Sequence, residues 1–90
     1  MQRMYEVAQE NKAWRERKDL QGLFAMVASY NVRFGRTSGN DLLIDSGYDV
    51  QTLKEIKRQA AEMGFKARLN VYKEHGGESD SGYLIIYTRI

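Results

Sequence analysis

The stretch "DVQTLKEIKRQAAEMGFKARLNVYK", residues 49–73, constrains this chain more than any other. Val50, Leu53, Ile56, Ala60 and Met63 recur at spacings of three and four, which sets one apolar face on a helix. Asp49 stands where an N-cap is needed, alone or with Ser46 in an S-x-x-D box. Gly64 stands where the chain must turn left-handed, and Phe65 can then fold back on Ala60. Directly after it the period changes from 3.6 to two. Phe65, Ala67, Leu69 and Val71 alternate with Lys66, Arg68, Asn70 and Tyr72, the pattern of a half-buried strand.

A second strand is expected in "GYLIIYTRI", with Leu84, Ile86 and Ile90 on one face and Tyr83, Ile85, Tyr87 and Arg89 on the other. The connection "EHGGESDSG", residues 74–82, is glycine-rich and polar, so the two strands should pair as a hairpin around it. It holds the only histidine, His75, beside Glu74, Glu78 and Asp80, but no metal-ligand spacing, and a loop tip is the expectation.

The first half fits two templates. As a helix, Leu20, Leu23, Phe24, Val27 and Ala28 make a stripe; as a strand, Met26, Ala28, Tyr30, Val32 and Phe34 alternate with Val27, Ser29, Asn31 and Arg33. The end "YNVRF" and the turn "GRTSGN" favour a hairpin of 24–34 with 41–45, the fallback being a helix to about Tyr30 and a short strand. Residues 1–21 read as an N-terminal helix with little apolar surface, loosely attached or completed by a partner, with Trp14 as its anchor. The expected fold is therefore α+β in one small domain. A helix over 1–21 precedes a hairpin-helix-hairpin unit (ββαββ-like) over 22–90, its antiparallel sheet covered on one face by the 49–63 helix.

Ninety residues suffice for one core. The absence of cysteine removes disulfides, thiolate metal sites and a cysteine nucleophile, and no apolar run approaches a membrane span, so a cytoplasmic protein with no membrane partner is expected. No complete catalytic constellation assembles: His75 has only loop serines beside it, and Asp41 and Asp45 are a bare pair on a short strand. Neither an enzyme nor a cofactor is expected. Net charge is +2, but residues 54–73 hold six bases against two acids.

One patch suits binding. The outward face of the C-terminal hairpin would carry Lys66, Arg68, Asn70 and Tyr72 beside Tyr83, Ile85, Tyr87 and Arg89. Cations meet phosphates and phenol rings offer stacking surfaces, so Lys66, Arg68, Tyr72, Tyr83, Tyr87 and Arg89 are the candidate nucleic-acid contacts. Arg33 and Arg36, in "RFGRTSGN", are candidate auxiliary phosphate contacts, although the Walker spacing is absent. The same face suits a protein partner or a second copy, since Tyr and Arg are enriched at interfaces. A third arrangement has the N-terminal helix covering it, with Met4 and Trp14 against Ile85 and the tyrosines. The expected function is a small accessory protein binding a nucleic acid or nucleoprotein complex. The alternative is a protein-binding regulator or inhibitor, monomeric or homodimeric, that uses the same tyrosines. The chain lacks the RNP strand motif, the GXXG loop and the Cys/His pattern of the short nucleic-acid modules.

Overall fold

The computed structural model describes residues 12–45, 48–73 and 80–89. A helical turn over 12–15 and a 3₁₀ turn at Lys18–Leu20 lead into helix α1 (Gln21–Ala28). Strands β1 (Gly35–Arg36) and β2 (Leu42–Ile44) follow, then helix α2 (Val50–Glu62) and strands β3 (Ala67–Lys73) and β4 (Asp80–Ile86). This is the expected α+β arrangement of N-terminal helices, hairpin, helix and hairpin.

Helix α2 forms for the reasons its sequence gives. The Asp49 carboxylate accepts from the Gln51 amide, and Val50, Leu53, Ile56 and Ala60 are buried. At its end Gly64 takes φ +94°, the Phe65 N–H donates to Ala60 and the Gly64 N–H donates to Ala61. That pair of bonds is a Schellman stop, which ties up carbonyls the helix would leave unpaired. Met63 departs from the expected stripe and lies 42% exposed, with its methyl group near Gly22.

All strand pairs are antiparallel, in the order β1-β2-β4-β3. Because β4 lies between them, β2 and β3 run parallel, and α2 carries the chain across the sheet to join them. The register aligns Leu42, Ile86 and Ala67, then Leu43, Ile85 and Arg68, then Ile44, Leu84 and Leu69. Alternation then sends Leu42, Ile44, Leu84 and Ile86 to the helix side, where all four are fully buried. They share one core with Trp14, Leu20, Leu23, Phe24, Val27, Leu53 and Ile56. Strand β4 begins at Asp80, two residues before the expected start at Gly82, so Asp80 and Ser81 belong to the strand and not to the loop. Gly82 faces Val71, and a Cβ there would sit 2.2 Å from the Asn70 carbonyl oxygen, so only glycine fits without moving the backbone.

The favoured hairpin of 24–34 with 41–45 is corrected. Residues 21–28 are helical, and the fallback describes the chain. Leu20, Leu23, Phe24 and Val27, spaced as one helix face, are all buried, whereas a strand would have sent Val27 to the side of Ser29. The chain leaves α1 through Asn31 at φ +59°, and Val32 and Phe34 run on without pairing. Only Gly35 and Arg36 then join the sheet, opposite Leu43 and Leu42. Nor does residue 21 divide two packing units among the described residues. Trp14 and Leu20 belong to the same core as Leu53 and Ile86.

Candidate binding face of the sheet

The side of the sheet away from the helices carries the expected patch. Reading across the strands, Lys66 stands beside Tyr87, Arg68 beside Ile85 and then Leu43, and Asn70 beside Tyr83. The Lys66–Tyr87 step is fixed by the Tyr87 N–H, which donates to the Lys66 carbonyl at 2.8 Å. Lys66 and Arg68 are exposed, whereas Tyr83, Ile85, Tyr87 and Leu43 are partly exposed and outside the core. The Asn70 side-chain amide donates to the Tyr83 hydroxyl, which holds that ring over the sheet. Tyr72 lies on β3 opposite Ser81, in register with this row.

Arg89 closes the row at one end. Its guanidinium lies 5.6 Å from the Tyr87 ring centroid and donates to the Asp41 carboxylate. Asp41 is 2% exposed and also accepts from the backbone N–H groups of Thr88 and Arg89, at 3.2 and 3.3 Å. Burial alone would push this carboxyl up. The Arg89 guanidinium and the two N–H donors outweigh it, and the net shift is downward. The same pairing raises Arg89 above its ordinary value. Arg89 is therefore a cation shared with Asp41, while Lys66 and Arg68 carry the open positive charge of the face. Asp45, the other acid of that short strand, is exposed where Asp41 is buried.

The turn after β1 is organised inward. Thr37 Oγ1 accepts from the N–H groups of Gly39 and Asp41, and the Thr37 carbonyl accepts from Asn40. Those amides are engaged and do not form the open cradle that a phosphate would need. Arg36 donates to the Thr37 carbonyl and the Asn40 side chain, turning back on the same turn. Arg33 is exposed, and its backbone N–H donates to the Tyr48 hydroxyl.

Trp14 is placed differently from the expectation of a partner anchor. It is 3% exposed, its indole N–H donates to Thr88 Oγ1 at 3.0 Å, and its ring packs 4.8 Å from Phe24 and 6.4 Å from Phe34. It anchors the N-terminal segment inside the domain and does not cover Ile85, since it belongs to the core on the opposite face. Met4, His75, Glu74 and Glu78 lie outside the described residues. Among the described residues no cluster of three potential metal ligands occurs, and no helix is long and apolar enough to cross a membrane. An open groove of about 260 Å³ beside Trp14 is lined by Ala13, Arg17 and Asn40. Its one cation, Arg17, is already bonded to the Thr88 carbonyl and to Asp19.

The sequence reading missed Leu43, which completes the apolar centre of the face beside Ile85. Alternation in "DLLID" places Leu43 with Asp41 and Asp45, so the signal was there. Compared with protein-family models, with curated proteins and with solved structures, the chain matches none.

Proposed function

We infer that this chain is a small, non-enzymatic, cytoplasmic accessory protein that binds single-stranded nucleic acid, free or within a nucleoprotein complex, on the outward face of its sheet. The observation that carries this reading is the row set by the β3–β4 register. Two exposed cations, Lys66 and Arg68, stand beside Tyr87, Ile85 and Tyr83 on a face that the core does not use. Phosphates would lie along the cations and bases would stack on the tyrosine rings, with Arg89 steadying Tyr87 and Tyr72 extending the row. Same-face neighbours on one strand lie about 7 Å apart, room for one flat ring each. Arg33 serves as an auxiliary phosphate contact at the β1 edge, and Arg36 a weaker one because its turn engages it.

The experiment is anisotropy of labelled single- and double-stranded DNA and RNA across a salt series. Single-stranded binding should fall with salt, and the Lys66→Ala, Arg68→Ala double variant should flatten the slope by about 0.7 per cation removed. Tyr87→Ala should weaken binding by about 1–3 kcal/mol if a base stacks there. Binding to none of these nucleic acids at low salt overturns the reading. The Leu43–Ile85 contact at the centre of the face favours a second reading, a protein partner docked on the same tyrosines. Such binding would survive high salt and would be lost on Ile85→Asp.

A further inference from the structure

The two edges of this sheet are unlike. The β1 edge is two residues long, which is one way in which sheets discourage further pairing. The β3 edge is seven residues long and follows no such rule. In the antiparallel β3–β4 ladder the Lys66–Tyr87 step is hydrogen-bonded, so by alternation positions 66, 68, 70 and 72 address β4. The N–H and C=O groups of Ala67, Leu69 and Val71 therefore point away from the sheet. Among the described residues nothing bonds them. Beside them Val71 is 41% exposed on the helix side, with Gly82 opposite offering no side chain to cover it.

We propose that β3 is a docking edge for a second copy of this chain, antiparallel about a two-fold axis at Asn70, joining two sheets into one of eight strands. The strand is complementary to itself in that register. Leu69 of each copy meets Val71 of the other in a hydrogen-bonded pair, which covers the exposed valine. On the opposite face Arg68 of each copy meets position 72, which carries no like charge. No cation opposes a cation, because Lys66 and Arg68 lie on the same side of the axis in each chain. The pairing is made through the main chain of the edge and needs no nucleic acid.

The absence of cysteine makes the test direct. At this axis the two Asn70 residues form a non-hydrogen-bonded pair, whose Cα separation of about 4.5 Å lies within disulfide range. Mild oxidation of Asn70→Cys should give a covalent dimer many-fold faster than Ser38→Cys on the distant turn. Wild type, followed by sedimentation without nucleic acid, should pass from the mass of one chain to that of two as concentration rises. Val71→Pro removes an N–H that β4 does not use, and Val71→Lys places a charge at the seam. Each should remain monomeric with an unchanged circular-dichroism spectrum. A wild type monomeric throughout overturns the proposal and leaves the edge to an extended segment of another protein. A dimer that survives both Val71 variants, or Asn70→Cys crosslinking no faster than Ser38→Cys, overturns it equally.

Discussion

Two clusters in this molecule combine arginine with aromatic rings, and they have opposite fates. In one, Phe24 and Phe34 stack at 5.4 Å, Trp14 packs against both, and Arg15 lies 4.5 Å from the Phe34 centroid while donating to the Phe34 carbonyl. In the other, Tyr83, Ile85 and Tyr87 stand in a row with Arg68 and Arg89 on the open side of the sheet. Composition does not distinguish them. What does is where the polar atoms go. The first cluster directs its one indole N–H inward to Thr88, so its rings can be buried without an unsatisfied donor. In the second the Tyr83 hydroxyl accepts from Asn70 on the same face of the sheet, and the cations reach solvent. The first holds the fold together; the second lies on the open side of the sheet, outside the core.

The sharpest way to break this contrast is Trp14→Ala. It removes a buried ring from the middle of the first cluster and leaves the Thr88 hydroxyl without its donor, at a cost of about 3–5 kcal/mol. Against a total of about 5–15 kcal/mol for a domain, urea unfolding should show a large loss of midpoint. A change below 1 kcal/mol would mean that the N-terminal segment is not integral to the core. Next in size is Asp41→Asn. It weakens the acceptor for two backbone N–H groups and for Arg89, at about 1–3 kcal/mol near neutral pH. The sign with pH follows from the downward shift. A carboxyl held below its unfolded value stabilises the fold above that value, about 3.9, and the stabilisation disappears as pH falls through the folded value. Wild type and variant should therefore converge in acid. Curves that stay parallel from pH 7 to 2 would show that Asp41 contributes nothing as an ion.

Elements whose cause is local were legible in the sequence, and those whose cause is distant were not. Helix α2 carries its own stripe, cap and Gly64 stop. The β3–β4 hairpin carries its alternation, and a short connection brings its strands together. Residues 21–34 carry both periods at once. The β-branched and aromatic run "YNVRF" favoured a strand, and the choice went to a helix because Leu20, Leu23, Phe24 and Val27 bury together with Trp14 and Leu53, contacts that no local window contains. The membership of the outward face was readable from strand parity alone. The Asp41–Arg89 bond was not, since 48 residues separate the partners. Trp14 was read as an anchor, correctly in kind, but its site lay inside the chain. A helix poor in apolar residues can be held by one large ring, and sequence alone does not say whose core that ring enters.

Smaller effects sharpen the comparison. Tyr87→Ala should change stability by less than about 1 kcal/mol, since its ring is partly exposed and outside the core. If it unfolds the protein as Trp14→Ala does, the two clusters are both structural and the outward face is not a free surface. The smallest expected effect concerns Arg15. Its guanidinium lies within 6 Å of three ring centroids, yet the side chain is exposed, so water weakens the attraction. Arg15→Met keeps an unbranched apolar stem over the rings and removes the charge and the bond to the Phe34 carbonyl. Arg15→Ala removes the stem as well. A cation at an exposed aromatic site contributes about 0.5–1 kcal/mol, so Arg15→Met should lose that much and Arg15→Ala only a little more. If Arg15→Met is instead neutral and Arg15→Ala destabilises, the arginine acts as an apolar lid, its charge incidental. The likeness between the two clusters would then be one of composition only.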